Sequence, residues 1–377
     1  MNVHKEVILW MASFLYNEKM KKKHTRRNFI FAVLILTIAY WAGINMLVSA
    51  VLVPSFMERL HAFDRIVEQS YAEQVQETSL QNNAVSMTVI GINWARNMGP
   101  EEVSILSKDG YRLRGALFAQ DMETKEAETD AALAEGAETD RGADLVEETA
   151  DPSAAHNWVI LLHGYTGSKE MMYGFAYWYW QRGCNILAPD FRCQGESEGD
   201  YIGLGATDSE DLLGWIDLIL QRDPDAKIVL HGLSMGASTA LILSGKEDIP
   251  SNVTAIISDC AYTDAYAMFR EKIGSWFHLP AFPVIDSAEL MIRLRAGYDL
   301  KETSPLAAVG NSRIPTLFIH GTEDRMIPVK MCLLLYNAAV CDKEIMIVDR
   351  AGHAQAVEKD PVRYFDTVAQ FLSKYAE

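Results

Sequence analysis

Ser234, Asp324 and His353 are the side chains in this sequence whose types and neighbours can together carry out acyl transfer. A serine hydroxyl is a weak nucleophile until a base takes its proton and a third group orients that base. Ser234 lies in Gly232-Leu233-Ser234-Met235-Gly236, a G-x-S-x-G run that follows the apolar stretch KIVLHG and precedes ASTALILSG. Strand, tight turn and helix is the context in which that run has meaning. Its glycines allow a turn sharp enough to present the serine at the helix start, where backbone N–H groups favour developing negative charge. Asp324 follows TLFIHG, with Glu323 beside it, and His353 follows EIMIVD after a glycine. The order Ser, Asp, His along the chain accompanies this motif.

The competing groups fit less well. Asp349 stands at the end of the strand before His353 and reads as a loop-ordering group. His163, His231 and His320 each precede a glycine at a strand end, which suits hydrogen bonds that hold turns. His278 falls in a segment between strands. A tetrahedral intermediate also needs donors aimed at its oxyanion. The backbone N–H of Met235 is one. The second is expected from the turn after WVILLHG, at the backbone N–H of Tyr165.

Elements that would position these groups alternate along the chain. EEVSILSKDGYRLRGALFAQ reads as two strands joined at Asp109-Gly110. WVILLHG, NILAPD, KIVLHG, TAIISD, TLFIHG and EIMIVD are short apolar runs separated by stretches of helical period such as DSEDLLGWIDLILQRD. Such strands are buried on both faces, so the fold class is α/β with a mostly parallel sheet, and chemistry belongs at the strands' carboxyl ends.

Upstream, residues 1–28 form a basic leader in which seven Lys and Arg outnumber two Glu. Residues 29–53 carry no charge, and at ~1.5 Å per residue they reach roughly 37 Å, enough to cross a bilayer. The flanking bases predict a single-pass cell-membrane anchor with a cytoplasmic N-terminus and an extracytoplasmic catalytic domain. A cleaved signal peptide fits worse, because the apolar run is long and lacks a clear A-x-A site. Residues 54–100 read as a stalk and approach, and 101–377 as the domain. Within it, 121–156 holds twelve acids against two bases and is expected to be a disordered, solvated insertion. The formal charge of −17 excludes a general nucleic-acid binder, which needs a basic face. The five cysteines form no C-x-x-C pair, so neither a disulfide framework nor a zinc site is expected. No cofactor or metal is implied.

The motifs HGYTGSKE, DFRCQGES, GLSMGAS, SDCAYTD, SPLAAV, HGTEDRMIP and AGHA resemble those of the α/β-hydrolase superfamily. The resemblance extends to its serine aminopeptidase-like, monoglyceride lipase-like and feruloyl esterase-like groups and to membrane-anchored bacterial members. It covers the chain from Glu101 onward. It implies an eight-stranded sheet with helices on both faces and a small helical lid over 264–312. Lid residues Trp276, Phe277, Leu279 and Phe282, with Met291, would wall an apolar substrate pocket or pack the lid down. Cys193 departs from the pattern, since related sequences often carry Gly in that loop; Asp190 and Arg192 are expected to order it. The implied activity is hydrolysis of a small-molecule or lipid-like acyl ester through an acyl-enzyme. Peptide or amide cleavage, and a non-catalytic ligand-binding relative, are the alternatives.

Overall fold

The computed structural model describes residues 29–53, 87–120 and 156–376. The acidic segment 121–155 and the basic leader 1–28 lie outside the described residues, as do 54–86 of the expected stalk. Two compact units are present, Met1–Ala50 and Val51–Glu377. The first contains nearly all of helix α1, Phe29–Leu52, 24 residues with a mean hydropathy of 2.0. By length and composition, α1 is able to cross a membrane.

The second unit is built on an eight-stranded sheet. Its strands are β1 (Glu101–Leu106), β2 (Arg112–Phe118), β3 (Asn157–Leu162), β4 (Asn185–Pro189), β5 (Lys227–Leu233), β6 (Val253–Asp259), β7 (Thr316–Gly321) and β8 (Lys343–Val348). The spatial order is β1-β2-β4-β3-β5-β6-β7-β8. β1 and β2 pair antiparallel around the Asp109-Gly110 turn, where Gly110 takes φ +85°. β2 also runs antiparallel to β4, and every later pairing is parallel. The central strands are buried along most of their length, as near-continuous apolar runs require: Ile160, Leu161 and Leu162 on β3, and Ile228 and Leu230 on β5, are all fully shielded.

Helices cover both faces. On one side α2 (Met87–Met98), α3 (Tyr173–Trp180) and α10 (Pro361–Tyr375) contribute to a single apolar cluster that includes Ile92, Phe118, Tyr179, Ile257 and Phe371. Helix α2 belongs to this body, although its residues read from sequence as the approach to the domain. It turns Val89, Ile92 and Ala95 inward. It also passes so close to α3 that a Cβ on Gly91 would sit 2.2 Å from the Tyr173 carbonyl carbon. Helix α4 (Ala206–Arg222) buries Leu212, Trp215, Ile216 and Ile219 at the spacing of one helical face, and it packs against β1 and α5 (Met235–Ser244).

Between β6 and β7 the chain forms α6 (Ala265–Phe277), α7 (Ala281–Ala296) and the short α8 (Pro305–Val309). Asp264 caps α6 by accepting the Ala267 N–H at 2.6 Å, and Ser304 caps α8. This is the helical segment expected as a lid. α9 (Val329–Ala338) joins β7 to β8.

Candidate active site

Ser234 is the N-cap of α5, directly after β5, with φ 57° and ψ −111°. A non-glycine residue in that region is strained by about 1–3 kcal/mol and persists only where its surroundings enforce it. Here they do. The Ser234 N–H donates to the Asp259 carbonyl at 2.8 Å. A Cβ on Gly232 would lie 2.4 Å from the Ala237 nitrogen, and one on Gly236 would lie 2.1 Å from the Leu162 carbonyl oxygen. The two motif glycines are therefore demanded by close packing of the elbow on its own helix and on β3.

Three loops at the carboxyl ends of β5, β7 and β8 bring the expected side chains together. His353 Nε2 is 2.9 Å from Ser234 Oγ, and His353 Nδ1 is 2.7 Å from Asp324 Oδ2. Asp324 is buried, and its other oxygen accepts the N–H groups of Met326 and Ile327 at 2.9 and 2.8 Å. Although burial opposes ionisation, hydrogen bonds from His320 and His353 hold the Asp324 carboxyl well below the usual carboxylate range. Both neighbouring acids are elsewhere. Glu323 is exposed, and Asp349 is exposed and paired with Arg350.

The turn after β3 lies against the serine: a Cβ on Gly164 would be 3.6 Å from the Ser234 Cβ. His163 holds this turn. Its Nδ1 is 2.7 Å from the Gly164 carbonyl oxygen, while Nε2 accepts the Phe191 N–H at 3.0 Å. Burial pushes the His163 pKa down to about 4, so the ring is neutral and its two partners fix the tautomer. The Tyr165 phenol is engaged too, donating to the Val51 carbonyl. Met235 begins α5, so its amide has no intrahelical partner.

Asp190 and Arg192 order the adjoining loop as expected. Asp190 accepts from the Lys169 ammonium at 3.0 Å and from two backbone amides, and Arg192 forks onto Asp211 at 2.7 and 2.8 Å. Cys193 sits at φ 61°, which explains why glycine suits that position.

Sequence reasoning missed a buried chain of polar groups beneath the elbow. The Tyr179 hydroxyl is 3.0 Å from His231 Nδ1, and His231 Nε2 is 3.1 Å from the Tyr364 hydroxyl. That hydroxyl donates to Asp259 Oδ2 at 3.0 Å. Burial lowers the His231 pKa to about 3 and raises that of Asp259 to about 6, the latter despite the Tyr364 hydrogen bond. Only the strand-end positions of His231 and Asp259 hinted at this network. Cys260 is the other unforeseen neighbour. One ligand atom each from Cys260, Asp324 and His353 fall within 4.8 Å of one another. Burial holds the Cys260 thiol well above its usual pKa, so it stands there protonated, as a poor metal ligand. Of the expected pocket wall, Leu279 and Phe282 are exposed and Met291 is half-buried; the side chains of Trp276 and Phe277 lie outside the described residues.

The sequence profile of the alpha/beta hydrolase family matches residues 159–367, more than half of the chain. The chain belongs to that family. It is 29% identical over 232 residues to the uncharacterized protein YqkD of Bacillus subtilis, covering 61% of this chain and 76% of that one. It is 23% identical over 249 residues to a thermostable monoacylglycerol lipase of Bacillus sp. strain H-257, covering 60% and 96%. Among solved structures, the Pyrococcus furiosus esterase Pf2001 superposes with a TM-score of 0.54 at 19% identity, over 75% of this chain and 94% of the esterase. At that identity the likeness speaks for the fold.

Proposed function

We propose that this protein is a membrane-anchored serine hydrolase that cleaves a carboxylic ester of a small-molecule or lipid-like acyl group. The observation that carries the reading is the pair of contacts made by one imidazole, 2.9 Å to the Ser234 hydroxyl and 2.7 Å to the Asp324 carboxylate. Those contacts supply a nucleophile, a base and an orienting anion in one line.

The chemistry follows from the atoms. With Nδ1–H donated to Asp324, His353 presents a bare Nε2 lone pair to the hydroxyl. As Ser234 Oγ attacks the ester carbonyl, its proton passes to Nε2, and Asp324 stabilises the resulting imidazolium. The oxyanion is received by the backbone N–H groups of Met235 and Tyr165. Collapse of the intermediate breaks the bond to the alkoxy oxygen, which leaves with the proton held on Nε2. Water then repeats the sequence on the acyl-enzyme, releasing the acid and restoring Ser234. The carboxylate of Asp324 is charged throughout, because its histidine partners keep its pKa low.

Anchoring by α1 is supported by its length and hydropathy and by the bases that precede it. Together these orient the N-terminus to the cytoplasm and the catalytic unit outside. A lipid-like substrate agrees with the exposed apolar lid residues Leu279, Phe282, Leu290 and Leu294. The test is a series of p-nitrophenyl esters of graded acyl length run beside the matching anilides, with wild type and Ser234→Ala. The reading expects ester turnover that Ser234→Ala loses. Equal ester turnover by both proteins contradicts it, and faster anilide turnover replaces ester with amide.

A further inference from the structure

At the opposite end of the sheet from Ser234, the first residues of β3 and β5 open into a cavity of about 360 Å³ between α3 and α10. Lys227 opens the strand that ends next to Ser234, so at ~3.3 Å per residue the cavity lies roughly 20 Å from the nucleophile. Its walls are mostly apolar, with Trp158, Trp178, Val229 and Leu372 among them. Its volume is at the small end of the range of about 300–1,000 Å³ typical of ligand pockets.

The charges on the lining decide what it suits. Arg182 and Lys227 both line the cavity, and no Asp or Glu does. Neither cation makes an ion pair among the described residues. Arg182 donates to the Trp178 carbonyl at 3.0 Å and lays its guanidinium over the Trp178 ring, 3.7 Å from the centroid. In a chain whose formal charge is −17, two cations share the lining of one mostly apolar cavity, and the carboxylate that acts on Arg182, Asp366, stands outside that lining. An anion in this cavity gains charge-assisted hydrogen bonds from the cations on its lining, and its apolar body gains burial against Val229, Ala369 and Leu372. A bare phosphate would leave the apolar walls unused, and a cation would be repelled.

We propose that this cavity is a second binding site, for a small organic carboxylate with an apolar or aromatic body. None of its lining residues is Ser234, Asp324 or His353, although Tyr179 on its wall is the first member of the polar chain that ends at Asp259.

The test is calorimetric titration of the full-length protein in lipid nanodiscs with 4-phenylbutyrate and with 4-phenylbutylammonium, which share a body and differ in charge. The expected result is saturable one-to-one binding of the acid and at least tenfold weaker binding of the ammonium ion. Lys227→Gln and Arg182→Gln should each weaken acid binding about fivefold or more, and Ala369→Trp, which fills the cavity from α10, should remove it. Circular dichroism establishes that each variant is folded, and the two charge variants carry the test if Ala369→Trp is not. Three results would overturn the proposal: no saturable binding of the acid, equal affinity for the two probes, or undiminished acid binding in both charge variants.

Discussion

Replacing Asp324 with Asn isolates what the carboxylate does for His353. Asp324 uses one oxygen for two backbone amides, Met326 at 2.9 Å and Ile327 at 2.8 Å, and the other for His353 Nδ1 at 2.7 Å and His320 Nε2 at 3.3 Å. An asparagine must keep its carbonyl on the two amides, because turning the NH₂ toward them would set donor against donor. The NH₂ then faces His353, and Nδ1 has to become an acceptor. The ring proton moves to Nε2, the atom 2.9 Å from Ser234 Oγ, and a protonated Nε2 cannot take the hydroxyl proton. Loss of the correct tautomer in a triad of this kind lowers kcat by about 10⁴, or roughly 5.5 kcal/mol of transition-state stabilisation. Packing barely changes, since Asn and Asp are nearly isosteric. The assay is kcat for p-nitrophenyl butyrate with the full-length protein, alongside the thermal midpoint. A folded Asp324→Asn protein retaining kcat within tenfold of wild type would refute the tautomer argument and remove Asp324 from the reaction.

Two further outcomes follow from the same geometry. Gly236→Ala forces a methyl to within 2.1 Å of the Leu162 carbonyl oxygen. It should cost about 1–3 kcal/mol or more, seen as a thermal midpoint lowered by several degrees; an unchanged midpoint would show that the elbow gives way freely. Asp208 is buried, and that burial raises its pKa to about 7 against the opposing Gly205 amide bond, with Asp211 adding to the shift and Arg192 reducing it. The folded state therefore binds this proton more tightly than the unfolded chain, whose Asp titrates near ~3.9. The group's contribution to stability is fully present below pH ~4 and is lost as pH rises through about 7. Asp208→Asn should remove that component from the midpoint measured between pH 4 and 8. Parallel curves for the two proteins would show that Asp208 does not carry it.

The candidate site was legible where chemistry and chain position coincide. Ser234 announces itself through two glycines that packing demands, and Asp324 and His353 stand just beyond strands whose apolar runs are unbroken. The choice of Asp324 over Asp349 gains its physical reason only in three dimensions. Both follow a strand, but Asp349 points to solvent and Arg350, whereas Asp324 turns into a nest of two amides. Helix α2 was hidden because its placement depends on Gly91 meeting Tyr173, a contact across eighty residues that no local pattern encodes. For the same reason the chain from Tyr179 through His231 and Tyr364 to Asp259 left no motif. Its members come from four separate elements, and each alone reads as an ordinary core residue.

Reaction with a fluorophosphonate, followed by mass mapping of the adduct, addresses the central claim most directly. The account predicts one equivalent of phosphonate on Ser234, none on Ser234→Ala, and labelling slowed by orders of magnitude in His353→Ala. Folded wild-type protein that stays unlabelled, or that carries the adduct on a different residue, would contradict it.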